Sequence, residues 1–277
     1  MRRLVILFAS VGLMAAVVAP AQAAASRPAE YLALGDSIAF GYSPLVSPSS
    51  TADFVGYPEL VGAAFRDAVV NASCPGETSS HFISLAGADH GCGAWRFTYG
   101  APLHVSYTGS QLAFADAFLQ SHPKTRLITI DMGANDVGAL RDACLPTADP
   151  IGCIQAGMPA MLATLSADLD TIYRHIRVVD GYRHKLVGLT FYSPNYSDQL
   201  TTGAIAMVNQ VLADRTLAWG GIVVDGFAAF ASASAADGGD TCAAGLRIPL
   251  ATGCDDHPSA AGTALLARTI VSAVRAD

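Results

Sequence analysis

Four short segments of the sequence carry residue types that together can perform nucleophilic catalysis. They are Gly35-Asp36-Ser37, Cys74 to Ser79, Gly133 to Asp136, and Asp255 to Pro258. A serine hydroxyl is a weak nucleophile, and a histidine within hydrogen-bond reach is the usual base that activates it. The oxyanion formed during acyl transfer needs preorganised donors, which backbone N–H groups and an asparagine amide can supply. The residue types therefore indicate acyl transfer, provided that the fold brings the four segments together.

Predicted strands and helices alternate along the chain. The apolar runs that indicate strands cover residues 30–34, 69–71, 126–131, 185–191 and 221–224. Patterns with apolar residues three and four apart predict helices over 58–69, 109–121, 155–178, 201–218 and 258–274. Because the strands are continuous apolar runs, they indicate a parallel sheet that helices cover on both faces.

The four segments either follow predicted strands or precede the last predicted helix. In an open parallel sheet, ligands bind beyond the carboxyl ends of the strands, so we expect the segments to meet at one edge. Taken alone, each segment is more typical of an ordinary turn, helix cap or surface loop than of a catalytic site. The remaining histidines have no such setting and are interpreted as structural or solvated: His81, His90, His104, His122, His175 and His184. The functional interpretation thus depends on the conjunction of the segments.

The first 23 residues have the features of a secretory signal peptide. Arg2-Arg3 precedes an apolar stretch from Leu4 to Val18, and Ala21-Gln22-Ala23 is a small-residue cleavage site. An uncleaved anchor helix is the alternative, but the stretch is shorter than the ~18 residues that a membrane span needs. We expect cleavage near Ala23, after which residues 24–277 form a single secreted domain with no stable membrane span.

Composition excludes two broad classes of protein. Of the 277 residues, 52% are hydrophobic and 14% are charged, which is the reverse of the balance in disordered chains. The formal net charge is −7, with 16 Lys and Arg against 23 Asp and Glu, and no basic run occurs. Because nucleic-acid binding needs a basic surface, we expect no nucleic-acid partner. The sequence carries no information on oligomeric state.

Six cysteines follow the predicted signal peptide, and an even number in an exported protein is typical of disulfides. They fall into three close couples, so the expected bridges are Cys74–Cys92, Cys144–Cys153 and Cys242–Cys254. A metal site is the alternative, because His81, Asp89 and His90 lie close to Cys92. The spacing is irregular and no Cys-x-x-Cys motif occurs, so we expect no metal there.

In this combination and order, the segments resemble the GDSL/SGNH hydrolase family, and in particular its secreted actinobacterial esterase- and lipase-like members. The matching blocks are Leu34 to Ser37, Asn71 to Thr78, Gly133 to Asp136, and His257-Pro258. The resemblance implies that Ser37 is the nucleophile and His257 its base. It also implies an oxyanion hole made of the Ser37 and Gly76 backbone N–H groups and the Asn135 amide. The fold that it implies is a three-layer α/β/α sandwich with a mostly parallel, flavodoxin-like sheet of about five strands.

The acid that orients His257 is where the sequence departs from the family pattern. Many members have an aspartate three residues before the histidine, where this chain has Cys254. Asp255 is the favoured orienting acid, because side chains two residues apart in an extended segment point the same way. Asp256 is expected to point away from His257, and a backbone carbonyl near Cys254 is a third alternative.

The resemblance implies ester hydrolysis through an acyl-enzyme, with no metal or organic cofactor. The expected substrate is a small-molecule or lipid ester. Phe40, Tyr42, Leu45 and residues 95–99 either line an apolar acyl site or anchor loops. The alternative substrate is an O-acetyl ester of a carbohydrate or of the cell envelope. A hypothesis of another class is a secreted binding protein without turnover, although the intact serine, glycine, asparagine and histidine argue against it.

Overall fold

A computed structural model describes residues 30–277, and the predicted signal peptide over residues 1–23 lies outside this part of the chain. The strands of its central sheet are β1 (Glu30–Leu34), β2 (Ala68–Asn71), β3 (Thr125–Ile130), β4 (Lys185–Leu189) and β5 (Ile222–Val224). They are all parallel and lie in the order β2-β1-β3-β4-β5. This is the flavodoxin-like order, in which ligands bind where the strand order reverses, between β1 and β3.

Helices cover both faces of the sheet. In chain order they are α1 (Ser37–Phe40), α2 (Tyr57–Phe65), α3 (Ser79–Ile83), α4 (Gln111–Ser121), α5 (Ala134–Cys144), α6 (Pro150–Arg174), α7 (Gln199–Ala218), α8 (Gly226–Ser234) and α9 (Ala260–Ala276). Buried residues of α3, α4, α6 and α7 share one core with the sheet, and those of α2, α8 and α9 share the other. The expected three-layer α/β/α sandwich is confirmed.

Both faces of the sheet are buried because successive strand residues point into opposite layers. In β1, Leu32 and Leu34 belong to the core on the side of α4 and α6, whereas Tyr31 and Ala33 belong to the core on the side of α2 and α9. All four are fully buried. Full burial of a large apolar side chain contributes about 1.5–3 kcal/mol, so continuous apolar strands are favoured here.

The longest helix starts earlier than its apolar pattern predicts. α6 begins at Pro150 instead of residue 155, because Asp149 caps it by accepting the Gly152 N–H at 3.0 Å. It ends at Arg174, and a turn of π-helix follows over His175–Val179. Apolar periodicity marks the packed middle of a helix, whereas capping groups decide where the helix ends.

Besides the short helix α1, which begins at Ser37, the apolar patterns miss two elements that carry site residues. One is an antiparallel ribbon of β6 (Arg247–Pro249) and β7 (Cys254–Pro258). The sequence of β7 is Cys-Asp-Asp-His-Pro, which has no apolar alternation to indicate a strand. The other is α5, whose only large aliphatic residues are Val137 and Leu140. Tertiary contacts, rather than hydrophobic periodicity, define both elements.

Three disulfides close local loops. They join Cys74 to Cys92, Cys144 to Cys153 and Cys242 to Cys254, which are the expected pairs. Bridges of this kind typically stabilise a fold by about 2–4 kcal/mol. Between residues 30 and 277, no helix is both long and apolar enough to cross a bilayer.

Candidate active site

Ser37 stands where β1 gives way to the short helix α1. Asp36 caps this helix by accepting the Ile38 N–H at 2.9 Å, so the chain turns and Ser37 becomes the first helical residue. Ser37 is 9% exposed, and its Oγ lies 2.8 Å from Nε2 of His257. The fold thus brings together a hydroxyl and an imidazole that are 220 positions apart in the sequence. Their separation is within reach of proton transfer.

His257 lies on β7, and Asp255 on the same strand contacts its ring. Asp255 Oδ1 is 2.5 Å from His257 Nδ1 and also accepts the His257 backbone N–H at 3.0 Å. Because a carboxylate can only accept, Nδ1 carries the proton and Nε2 is left to accept from the Ser37 hydroxyl. The hydrogen bond from His257 lowers the pKa of Asp255, so this carboxylate is charged near neutral pH.

Asp256 faces the other way. Its Oδ1 accepts a hydrogen bond from Arg247 Nη1 at 2.8 Å, and its side chain is 73% exposed. Its backbone carbonyl accepts the Tyr192 hydroxyl at 2.5 Å, which attaches β7 to the segment after β4. Among the alternatives for the group that orients His257, the geometry therefore favours Asp255.

Gly76 lies in a loop that is attached to the end of β1. The Cys74 N–H donates to the Gly35 carbonyl at 3.1 Å, and the Cys74–Cys92 disulfide ties the loop to a later segment. Gly76 has φ +80°, and a Cβ there would lie 2.6 Å from Gly91 Cα, so only glycine fits without a backbone shift. The Gly76 backbone is thereby held in a loop bonded to the end of β1, as a candidate oxyanion donor beside Ser37 would need to be.

Asn135 lies in the first turn of α5, just after β3. Its Nδ2 donates to Asp36 Oδ2 at 3.2 Å. An amide nitrogen carries two N–H groups, so one attaches the side chain to the residue before Ser37 and the second remains for an oxyanion. Asn135 therefore joins the site through Asp36.

Two carboxyl groups, those of Asp36 and Asp131, are buried just after the ends of β1 and β3. Both side chains are fully buried, and Asp131 accepts the Tyr57 hydroxyl at 2.8 Å. Burial raises the pKa of Asp131 to about 6. Burial, together with the neighbouring Asp131, raises the pKa of Asp36 well above its usual value. The carboxyls at the ends of β1 and β3 therefore retain protons at a pH where exposed carboxyls have lost them.

An aromatic cluster stands beside His257. The Tyr42 ring centroid is 4.7 Å from that of His257 and 5.9 Å from that of Trp95. Phe40 and Phe54 are buried behind them, with ring centroids 5.7 and 6.0 Å from Trp95. Other candidate residues of an acyl site are largely exposed: Leu45, Phe97 and Tyr99. The cluster gives one wall of the site an apolar surface.

His90, which the sequence predicts to be structural or solvated, contacts the candidate oxyanion amide of Asn135. Its Nδ1 lies 3.1 Å from Asn135 Oδ1, and its Nε2 lies 3.1 Å from Asp142 Oδ2. A sequence signal exists, because Asn135, Gly138 and Asp142 are three and four residues apart, as on one face of a helix. That signal has meaning only once α5 is known to be a helix.

Within residues 30–277, one group of side chains has the spacing of metal ligands: Cys74, Glu77 and Cys92. The two sulfurs form a disulfide and are therefore not available as thiolates. Glu77 instead contacts His81 Nδ1 at 2.5 Å and accepts from Gln111 Nε2 at 3.1 Å. These residues do not fit a metal ion.

Comparison with known proteins adds independent information on the family. A family model described as the GDSL-like lipase/acylhydrolase family matches residues 33–265. No curated protein sequence matches the chain significantly.

Solved structures that resemble this fold include several ester hydrolases. Phospholipase A1 from Streptomyces albidoflavus NA297 is 22% identical, with a TM-score of 0.57 over 89% of this chain and 99% of that one. An extracellular lipase from Streptomyces rimosus is 21% identical, with a TM-score of 0.59 over 88% and 99%. An acetylxylan esterase from Geobacillus stearothermophilus is 18% identical, with a TM-score of 0.54 over 90% and 94%. At these identities, the similarity establishes a shared fold.

Proposed function

Because the chain belongs to the GDSL-like lipase/acylhydrolase family, we propose that it is a secreted serine esterase that forms an acyl-enzyme on Ser37. As a member of this family, it is a carboxylic ester hydrolase. The observation that best supports the mechanism is a continuous chain of contacts. Ser37 Oγ lies 2.8 Å from His257 Nε2, and His257 Nδ1 lies 2.5 Å from Asp255 Oδ1.

In the acylation step, Ser37 Oγ attacks the ester carbonyl carbon while His257 Nε2 takes the hydroxyl proton. The carbonyl oxygen becomes an oxyanion, which accepts from the Ser37 and Gly76 backbone N–H groups and from the Asn135 amide. Asp255 stabilises the imidazolium that forms. The tetrahedral intermediate then collapses, and His257 returns its proton to the leaving alcohol.

Deacylation repeats these steps with water in place of the serine hydroxyl. His257 takes a proton from water, whose oxygen attacks the acyl carbon. The same donors stabilise the second oxyanion, and Ser37 leaves with the proton that His257 returns. Every proton is carried by one imidazole, so the sequence of steps uses neither a metal nor an organic cofactor.

The aromatic cluster of Phe40, Tyr42, Phe54 and Trp95 favours a substrate with an apolar acyl group. Tyr42 lies against the His257 ring, so an acyl chain bound at Ser37 would meet this surface. Burial of an acyl chain contributes about 0.8 kcal/mol per methylene group. We therefore propose a small-molecule or lipid ester as the substrate class, in preference to an O-acetyl ester of a carbohydrate.

Secretion is part of the proposal. The signal-peptide pattern of residues 1–23 supports it, and so do the three disulfides. Disulfides persist in oxidising compartments and are rare in the reducing cytosol. We propose that residues 24–277 form the mature enzyme as a single domain.

The Ser37→Ala variant tests the mechanism. Hydrolysis of p-nitrophenyl esters should be abolished, because the acyl-enzyme cannot form, while the circular dichroism spectrum should be unchanged. A fluorophosphonate probe should label the wild type and not the variant. Ser43→Ala, in the following loop, is the matched control and should keep wild-type turnover.

Undiminished turnover in the Ser37→Ala variant would reject the mechanism, and an unlabelled, inactive wild type would favour a binding protein. Butanoyl and octanoyl esters should be hydrolysed faster than acetylated xylan. The reverse order would favour the carbohydrate O-acetyl esterase alternative.

A further inference from the structure

The His90 ring connects an acidic side chain to the candidate oxyanion amide. Its Nε2 lies 3.1 Å from Asp142 Oδ2, and its Nδ1 lies 3.1 Å from Asn135 Oδ1. The hydrogen bond from His90 lowers the pKa of Asp142, so Asp142 accepts as a carboxylate. An amide oxygen also accepts, so the contact with Asn135 Oδ1 requires a proton on His90 Nδ1.

Two contacts on opposite sides of the Asn135 amide decide its orientation. Its Oδ1 faces His90 Nδ1, and its Nδ2 donates to Asp36 Oδ2 at 3.2 Å. A half-turn of the amide would place its oxygen against Asp36 Oδ2 and its nitrogen against His90 Nδ1. With the proton on His90 Nδ1, two N–H donors would then face each other, and the hydrogen bond to His90 would be lost. The direction of the second amide N–H, the one proposed for the oxyanion, therefore depends on His90 as well as on Asp36.

Helix α5 leaves room for the His90 ring at Gly138. A Cβ at Gly138 would lie 2.6 Å from His90 Cε1, so a larger residue at this position would displace the ring. Gly138 stands one turn after Asn135, and Asp142 stands one turn later, which puts the three on one helix face. One face of α5 thus carries the Asn135 amide, the space that Gly138 leaves for the His90 ring, and Asp142, which bonds to that ring.

The segment around His90 also packs against the second oxyanion donor. A Cβ at Gly76 would lie 2.8 Å from the His90 carbonyl oxygen and 2.6 Å from Gly91 Cα, so the two backbones touch. The next residue, Cys92, is bridged to Cys74, two residues before Gly76. Residues 90–92 therefore contact the Gly76 loop through their backbone and Asn135 through the His90 side chain.

We propose that His90, held by Asp142, is a positioning residue that orients the Asn135 amide and couples the two oxyanion donors. The inference rests on the proposed acyl-enzyme function, and His90 itself does not touch the substrate. An oxyanion exists in the transition state and not in the bound ester. A misoriented oxyanion donor therefore lowers kcat and leaves KM unchanged.

Substitutions at His90 separate hydrogen bonding from packing. His90→Phe keeps a ring against Gly138 and removes both nitrogens, and we expect kcat to fall about tenfold or more at constant KM. This is less than the roughly 10²- to 10³-fold cost of deleting a whole oxyanion donor. His90→Asn places an amide nitrogen near the Nδ1 position and should recover part of the lost kcat. In His90→Gln the amide reaches toward Asp142 instead, and kcat should stay low.

The matched control is His175→Phe. His175 Nδ1 contacts Asp116 Oδ2 at 3.1 Å in another His–Asp pair, on the segment that follows α6. This variant should keep wild-type kcat. Thermal unfolding of all variants tests whether they are folded, and the comparison of His90→Asn with His90→Gln remains decisive if His90→Phe does not fold.

A double-mutant cycle distinguishes positioning from a general structural effect. In an Asn135→Ala background, His90→Phe should cause no further loss of kcat, because the amide that it orients is absent. An undiminished kcat in His90→Phe, or losses that multiply in the double variant, would overturn the positioning role. Active Ser37→Ala protein would instead overturn the proposed function, so the two failures are distinguishable.

Discussion

At the scale of single residues, the candidate site depends on which oxygen atom faces each ring nitrogen of His257. Asp255 Oδ1 at Nδ1 and Ser37 Oγ at Nε2 leave the ring in the tautomer that can take a proton from the serine. The hydrogen bond from His257 lowers the pKa of Asp255, so the carboxylate keeps its charge down to a lower pH than an isolated aspartate. Asp256 is bonded to Arg247 instead and has no contact of this kind with the ring.

The neighbouring acids Asp255 and Asp256 provide a matched pair of substitutions. Asp255→Asn should lower kcat by about 10²- to 10⁴-fold, because an amide can donate to Nδ1 and favour the tautomer with a protonated Nε2. Asp256→Asn should leave kcat close to that of the wild type. Steady-state kinetics with a p-nitrophenyl ester measure both effects. Equal losses in the two variants would show that Asp255 has no special role.

At the scale of secondary structure, the β6–β7 ribbon decides where His257 stands. The Cys242–Cys254 disulfide anchors the first residue of β7, and the Tyr192 hydroxyl bonds to the Asp256 carbonyl. After β7, the Ser259 side chain caps α9 by accepting the Gly262 N–H at 3.3 Å. His257 is therefore held between a disulfide on one side and a helix start on the other.

Removal of the Cys242–Cys254 bridge should lower activity as well as stability. In the double Cys→Ser variant, the free energy of unfolding should fall by about 2–4 kcal/mol, and kcat should fall because the His257 strand gains freedom. The Cys144–Cys153 bridge joins α5 to α6 and is the control. Its removal should lower stability by a similar amount at nearly constant kcat. Denaturant titration and steady-state kinetics test both variants, and equal kcat losses would contradict a local role of the first bridge.

At the scale of the whole molecule, two carboxyl groups are buried at the neighbouring ends of β1 and β3. Asp36 follows β1, Asp131 follows β3, and the Tyr57 hydroxyl from α2 bonds to Asp131. Burial raises the pKa of Asp131 to about 6 from the ordinary value of 3.8. At a pH between 3.8 and about 6, the folded protein therefore binds a proton at Asp131 that the unfolded chain has lost. This group stabilises the fold at low pH, and that contribution is lost as the pH rises through about 6.

The Asp131→Asn variant should lack this pH dependence. In the wild type, the free energy of unfolding should decline by up to about 3 kcal/mol between pH 4 and pH 7 relative to the variant, at ~1.4 kcal/mol per pKa unit. Tyr57→Phe should enlarge the decline, because the hydrogen bond from Tyr57 lowers the pKa of Asp131. Urea unfolding at several pH values measures the difference. Parallel curves for wild type and Asp131→Asn would contradict the assignment.

Much of the fold was predictable from local patterns. Continuous apolar runs located all five strands of the sheet, because burial on both faces leaves no polar alternation. The family resemblance singled out Ser37, Gly76, Asn135 and His257 before any contact between them was known. Helix ends were less accurate, as at α6, because caps such as Asp149 are single polar residues outside the apolar pattern.

The sequence by itself determined the strand and helix order, the chemistry of the four segments and the pairing of cysteines that are neighbours along the chain. Tertiary structure decided which acid faces His257, because Asp255 and Asp256 are adjacent and only the direction of β7 separates them. It also decided that His90 meets Asn135, a contact across 45 residues. Contacts of this kind depend on the packing of loops against a helix, and neither composition nor periodicity records how distant segments pack.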